Sequence, residues 1–409
     1  MNPWKNLVVQ KFGGTSLATP ERIKQVASRV VEEKRAGKDI IVVVSAMGDT
    51  TDRLFKLAKV VSCNPPKREL DMLLTAGERI SMSLLSMAIS EMGYEAISFT
   101  GSQSGIVTDT AHTRAKIVDV RAFRVKDELT KGKIVIVAGF QGVSPTKEVT
   151  TLGRGGSDTT CVALAAAFDA GRCEIFTDVG GVYTADPRLV PNARKLGAIS
   201  YDEMLELAFC GAGVLHWRSV DIARRFGVDI HVRSSFSKEC GTVVTAKEKI
   251  ERTDIRGITQ DLNVVRIAVA DPSDPVAVTN RILTTLERFD IPAKLVVASR
   301  LEKKSTVSIV IPKDQIEEIT ARLAEEPDLN KVSLDDDVAT ISIVGNGLCA
   351  RPGVARTVLE SLARSGIKPL AISTSGISMT VLARRQNIVA AIRNLHSDLG
   401  LDATRNGTQ

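Results

Sequence analysis

The chain has 409 residues, with 54 basic and 48 acidic side chains, a net charge of +6, and 44% hydrophobic but only 4% aromatic residues. At roughly 100–200 residues per domain, this predicts two or three domains with cores of aliphatic side chains and alanine. Both signs of charge are mixed along the whole length, without a basic block or a basic strand interleaved with aromatics, which argues against a nucleic-acid partner. No run approaches roughly 18 apolar residues, and no charged segment followed by an apolar stretch opens the chain, so no membrane partner is expected. The six cysteines are scattered, with no Cys-x-x-Cys pair and none beside a histidine at metal spacing. A cytoplasmic protein with reduced thiols and no protein-held metal is the expectation.

The first strand, Leu7–Lys11, runs into Lys11-Phe12-Gly13-Gly14-Thr15-Ser16, and a helix opens at Thr19-Pro20-Glu21 with a hydroxyl cap, a first-turn proline and an early carboxylate. This strand, glycine turn and helix start suit a phosphate. The glycines admit close backbone N–H groups, the helix end favours negative charge, and Lys11 adds a point charge. Further strands are expected at Asp39–Ser45, Glu95–Phe99, Lys133–Ala138, Glu174–Thr177 and Asp229–Val232. Between them, helices are expected over Arg22–Lys34, Ala76–Ser90, Asp158–Ala170 and Asp202–Phe209. Ile40–Val44 and Ile134–Val137 are continuously apolar, as strands covered on both faces are. The alternation predicts an α/β fold, a three-layer αβα sandwich around a mostly parallel sheet, with ligands beyond the carboxyl ends of the strands. Lys11 and Ser45 lie at such ends.

A second glycine-rich segment, Leu152-Gly153-Arg154-Gly155-Gly156-Ser157-Asp158, precedes an alanine-rich helix. Gly155 and Gly156 permit close backbone approach, Ser157 or Asp158 can cap the helix, and Arg154 offers a planar fork to a carboxylate or phosphate. Two such loops in one α/β domain point to two anionic ligands. Two more segments follow the same logic: Thr177-Asp178 through Arg188 after a strand, and Thr75-Ala-Gly-Glu78 at a helix start. The histidines His112, His216, His231 and His396 show no nucleophile or metal partner and read as structural. Met82, Met87 and Met92 read as core.

Beyond about Glu251 the texture changes to two similar blocks, each strand–helix–strand–strand–helix. The first is expected to comprise Val264–Ala270, Ile282–Phe289, Ile291–Val297, Val307–Ile311 and Asp314–Glu325. The second comprises Ala339–Val344, Leu359–Ser365, Ile367–Ser373, Ser378–Ala383 and Asn387–Leu399. Such a tandem reads as two small α+β modules. Gly345-Asn-Gly347-Leu-Cys-Ala350 nearly matches a dinucleotide fingerprint, but it lies inside the repeat and reads better as a module turn.

Several motifs, in this order, resemble those of the aspartate kinase family: Lys11-Phe-Gly-Gly-Thr-Ser16, Val44-Ser-Ala-Met-Gly48, Thr75-Ala-Gly-Glu-Arg79, Phe99-Thr-Gly-Ser-Gln103, Ala138-Gly-Phe-Gln-Gly142, Leu152-Gly-Arg-Gly-Gly-Ser-Asp158 and Val182-Tyr-Thr-Ala-Asp-Pro-Arg188. The tail resembles that family's paired, ferredoxin-like ACT modules. The resemblance implies an amino-acid kinase domain over 1–250 and ACT modules over 262–335 and 336–409. It also implies transfer of the ATP γ-phosphoryl group to the side-chain carboxylate of L-aspartate, the first step toward lysine, threonine and methionine. Lys11 and Asp158 would be catalytic. Ser45, Thr51, Glu78, Arg154 and the turn Gly155, Gly156 and Ser157 would bind aspartate. Lys11, Gly13, Gly14, Ser16, Thr177, Asp178, Tyr183 and Arg188 would hold the nucleotide, and Mg²⁺ would arrive on the ATP phosphates. A homo-oligomer through the ACT modules, with lysine or threonine as effector, is the family expectation.

The chain also departs from that pattern. Gly180 stands where aspartate is usual, Gly213 where many relatives carry a lysine, and Trp217 where proline is common. The first module reads Asp271-Pro-Ser-Asp-Pro275 without the usual glycine and has Val297-Ala-Ser-Arg300 in place of a Gln-Asn pair. The second keeps Arg351-Pro-Gly353 but has Gly376 where glutamate is usual. Two rival readings follow: a paralogue serving a specialised pathway, and a sensor that kept the fold without turnover.

Overall fold

The computed structural model describes residues 3–246, 255–301, 304–323, 332–348 and 351–402. It divides into two compact units, and the division is not a single cut in the chain. The first unit takes Met1–Val182, Lys195–Leu205 and Gly213–Glu248; the second takes Tyr183–Arg194, Glu206–Ala212 and the remainder.

An eight-stranded sheet organises the first unit. From edge to edge its strands are Ala198–Ile199, Thr242–Val244, Ile230–Ser234, Arg172–Thr177, Leu7–Phe12, Asp39–Val44, Ile134–Ala138 and Ala96–Phe99. Every neighbouring pair is parallel except Ile230–Ser234 with Thr242–Val244. The continuous apolar runs do occupy the centre, where Ile40 to Val44 and Ile134 to Ala138 are fully buried. Helix Pro20–Arg35 begins as expected: Thr19 accepts the Arg22 N–H, proline follows, and Ile23, Val26, Ala27, Val30 and Val31 form one buried stripe. That stripe shares a core with Leu85 and Ile89 of helix Ala76–Glu91 and with Val8, Ile40, Val42 and Ile136 of the sheet. Helix Gly156–Phe168 covers the other face, with the Cys161 thiol directed at the Val9 carbonyl.

A second sheet in this unit escapes the sequence reading. It orders Ile117–Val120, Ile106–Thr108, Gln141–Val143 and Val149–Thr151, strands of three or four residues too short to show a period. On length and mean composition alone the stretch Lys67–Glu91 would suffice to cross a membrane, although charged side chains interrupt its apolar residues. Here it is two helices, Lys67–Leu74 and Ala76–Glu91, that bury Asp71 and Glu78 along with Leu74, Leu85 and Ile89. Met82 joins the core and Met92 packs at its margin, whereas Met87 is exposed, against its reading as core.

Two four-stranded antiparallel sheets build the second unit. One orders Leu295–Leu301, Lys304–Pro312, Val264–Ala270 and Val332–Asp335; the other orders Ile255–Asp261, Val338–Gly345, Ser378–Arg384 and Ala371–Thr374. Helices Pro275–Arg288 and Ile316–Leu323 accompany the first sheet, and Pro352–Arg364 and Ile388–Asp398 the second. Strand Ile255–Asp261, upstream of both blocks, pairs with Val338–Gly345, so the second module is discontinuous in sequence and the first lies between its parts. Ala185 and Val190 also enter the second module's core, beside Ile341, Ile343 and Leu395. Strands expected at Ile291–Val297 and Ile367–Ser373 start later. Ile291 and Ile367 instead follow left-handed Asp290 and Gly366, and their N–H groups close the preceding helices on Leu286 and Leu362. The near-fingerprint at 345–350 falls partly outside the described residues.

Candidate active site

Lys11 is the penultimate residue of the central strand, between Val43 and Ile175 of its neighbours. Its ammonium meets Asp158 Oδ1 at 2.7 Å, with both side chains largely buried. Asp158 is held in the first turn of helix Gly156–Phe168, so the strand end and the helix start are locked together. Beyond Lys11 the chain turns through Gly13 into a short 3-10 helix, Gly14–Leu17. Gly14 must be glycine: a Cβ there would lie 2.9 Å from the Ala46 carbonyl and 3.0 Å from that of Gly48. The two loops are tied by the Gly48 N–H, which donates to the Gly14 carbonyl at 3.0 Å. Ser16 is buried and its hydroxyl pairs with that of Ser235.

Glu78 approaches the same loop from helix Ala76–Glu91. Its Oε1 accepts the Ala46 N–H at 3.1 Å, while Oε2 is buried and meets no hydrogen-bond donor among the described residues. Only 2% of Glu78 is exposed, and burial pushes its carboxyl up to about 7, against a smaller lowering by backbone N–H groups. The Ser45 carbonyl accepts from Ser81 Oγ at 2.7 Å, and Thr51 lies half-buried in the first turn of helix Thr50–Val61. The structure therefore joins Asp158, Lys11, the Gly13–Gly14 turn, Ala46 and Glu78 in one contiguous run.

Arg154 is exposed on the second glycine turn, and Ser157 is buried behind it against Gly139. Gly155 is left-handed, at φ 66°, and any Cβ on it would fall 2.2 Å from the His216 side chain. His216 is a residue that the sequence reading left as structural. Its N–H lies 3.4 Å from Asp158 Oδ2, and its Nδ1 accepts the Arg218 N–H to cap helix Trp217–Phe226. Burial lowers its imidazole to about 4, so the ring next to Asp158 is neutral at physiological pH. Gly213 adopts φ 59°, a left-handed conformation that glycine tolerates better than the lysine common there.

Thr177 closes strand Arg172–Thr177 and donates to Asp178 at 3.0 Å. Tyr183 and Arg188 belong to the second unit, where the Arg188 guanidinium donates to both oxygens of Asp186, from Nε to Oδ1 at 3.0 Å and from a terminal nitrogen to Oδ2 at 2.9 Å. In that unit His396 is fully buried between Thr184 Oγ1 at 2.8 Å and Asp402 at 2.9 Å, a structural role as read. The sequence offers no signal for Asp71, Ser81 or Arg218, whose partners Thr151, Ser45 and Leu152 lie 80, 36 and 66 positions away in the chain.

The amino acid kinase family model matches residues 6–234, and an ACT domain model matches 341–399. The chain is 46% identical over 403 residues to an aspartokinase of Bacillus sp. (strain MGA3), covering 97% of this chain and 98% of that one. It is 48% identical over 406 residues to the aspartokinase of Mycolicibacterium smegmatis, covering 97% and 96%. The chain is an aspartokinase family member. Among solved structures, E. coli aspartokinase III in complex with aspartate and ADP superposes with a TM-score of 0.81 over 96% of this chain and 99% of that one; at 24% identity this is a likeness of fold. Aspartate kinase from Synechocystis is 37% identical, with a TM-score of 0.56, covering 98% of this chain and 71% of that one. Its aspartokinase kinship accounts for the α/β sheet followed by antiparallel modules.

Proposed function

We propose that this protein is an ATP-dependent aspartate kinase that makes 4-phospho-L-aspartate, the first step toward lysine, threonine and methionine. The observation that carries the reading is the Lys11–Asp158 pair at 2.7 Å beside the Gly13–Gly14 turn, contiguous with the buried Glu78 carboxyl. A carboxylate is already a deprotonated nucleophile, so the reaction needs no general base. Its obstacle is repulsion between two anions, which positioning and fixed positive charge relieve.

In this reading Lys11 bridges the transferring phosphoryl oxygens, and Asp158 holds the ammonium in place. Gly13, Gly14, Ser16, Thr177, Asp178, Tyr183 and Arg188 serve the nucleotide. Glu78 receives the substrate ammonium, Arg154 takes its α-carboxylate, and Ser45, Thr51 and the turn Gly155–Ser157 line the remainder. The unpartnered Oε2 supports the role of Glu78, since a buried acceptor without a donor suits an arriving cation.

Mg²⁺ would enter as its ATP complex, carried by the phosphates. Bound there, the ion would neutralise β- and γ-phosphate charge. Catalysis is assigned to residues 1–250. Regulation is assigned to modules 262–335 and 336–409, the second completed by strand Ile255–Asp261. An amino-acid effector, lysine or threonine, and a homo-oligomer formed through the modules complete the proposal. A cytoplasmic location fits the free thiols of the five cysteines among the described residues.

Hydroxylamine trapping of the acyl phosphate, with ATP and aspartate, glutamate or succinate, tests the function. Hydroxamate is expected from aspartate in strong preference to glutamate and succinate; none from any acid would favour the silent sensor. Inhibition by lysine and threonine, singly and together, tests the effector.

A further inference from the structure

Asp71 has no part in the chemistry above, yet its side chain is fully buried. It lies on helix Lys67–Leu74, which Thr75 joins to the helix carrying Glu78. Partners from two other elements converge on it. Thr151 Oγ1 donates to Oδ1 at 2.6 Å, the Thr113 N–H reaches both oxygens at 3.1 Å, and His112 Nδ1 lies 2.7 Å from Oδ2. A carboxylate taken out of water is held rigidly by such partners, because each lost bond is expensive. Thr113 shows the strength of the hold: it is β-branched, yet sits at φ 69°, in the left-handed region such residues avoid.

From this anchor the contacts lead to Arg154. Thr151 ends strand Val149–Thr151, directly before the Leu152–Gly156 turn, and its carbonyl accepts the Ala115 N–H at 2.9 Å. The Thr113 carbonyl abuts Gly153, where a Cβ would come within 3.1 Å of it. On the other side Arg218 donates to the Leu152 carbonyl at 2.5 Å and to that of Ala115 at 2.8 Å. The turn that presents Arg154 is thus pinned to the same helical run that presents Glu78.

We propose that Asp71 is a positioning residue: it sets the spacing between Glu78 and Arg154, and so the affinity and selectivity for α-amino dicarboxylates. This rests on the assignment of those two residues to the substrate. The ammonium and α-carboxylate stand on one carbon, so their two recognition groups must keep a fixed separation. A displacement of about 1 Å can cost on the order of a hundredfold.

Steady-state kinetics of the full chain, with KM measured separately for aspartate and ATP, test the proposal. Asp71→Ala is expected to raise KM for aspartate about ten- to a hundredfold, leaving KM for ATP within about twofold. Preference for aspartate over succinate, which lacks the amine, falls with it. Thr151→Val, which removes one donor and keeps the strand, shifts KM for aspartate in the same direction. Asp71→Asn rescues, because its amide oxygen still accepts from Thr151 and Thr113 and its amide N–H donates to His112 Nδ1 once that ring carries its proton on Nε2. Equal rises in both KM values, or unchanged aspartate KM in Thr151→Val, would overturn the proposal, the latter even where Asp71→Ala fails to fold. Arg154→Ala separates the two levels. An unchanged aspartate KM there removes the substrate assignment, whereas a raised one beside inert Asp71 and Thr151 variants removes only the positioning role.

Discussion

Replacing Glu78 with glutamine should make the ligand-free protein more stable relative to wild type as pH rises. The folded carboxyl sits at about 7, against 4.5 for an unburied glutamate, because burial penalises its charge. Below 4.5 both the folded and unfolded states carry the proton, and its favourable contribution is fully present. Between 4.5 and 7 the unfolded chain releases the proton while the native state keeps it, so wild-type stability falls. Above 7 the native carboxylate is charged and buried, and the whole loss persists. At about 1.4 kcal/mol per pH unit the loss amounts to about 3 kcal/mol. In a unit of 150–250 residues that corresponds to roughly 6–12 °C in Tm. Glutamine does not titrate and retains the acceptor for the Ala46 N–H, so any fixed offset cancels across the series. Thermal unfolding of both proteins without ligand, from pH 4 to 8.5 at constant ionic strength, measures the gap. Parallel curves would refute the reasoning, showing that the carboxyl is hydrated or paired in the native state. Aspartate should narrow the gap at pH 8, since its ammonium supplies the missing partner.

Lys11→Ala should lower kcat on the order of 10²–10³-fold, as loss of one transition-state stabiliser does, and should also lower Tm because it leaves the buried Asp158 carboxylate without its cation; near-normal hydroxamate production would remove Lys11 from the mechanism. Gly14→Ala forces a methyl against the Ala46 and Gly48 carbonyls, so the phosphate turn must shift, and kcat should fall about a hundredfold while far-ultraviolet circular dichroism is unchanged. Gly155→Ala combines a left-handed backbone with a clash against His216 and should cost about 2–4 kcal/mol in chemical denaturation, a loss that His216→Ala in the same protein should partly relieve. Leu85→Ala, emptying a fully buried site between the sheet and helix Pro20–Arg35, should cost about 2–5 kcal/mol.

Local order was legible in the chain itself. Continuous apolar runs marked the central strands, Thr19-Pro20 marked a helix start, and two glycine-rich turns bounded by Lys11 and Arg154 marked where anions go. These signals survive because they depend on neighbours within a few residues: a period, a cap, or a conformation only glycine takes easily. Tertiary structure alone decided the rest. Whether Lys11 meets Asp158 depends on a strand and a helix far apart in sequence. Only burial, which the fold creates, raises the Glu78 carboxyl, depresses the His216 imidazole and makes an anchor of Asp71. Strand Ile255–Asp261 likewise finds its partner across an entire intervening module. Sequence patterns report short-range conformation, whereas desolvation and long-range pairing exist only once distant segments exclude water from one another.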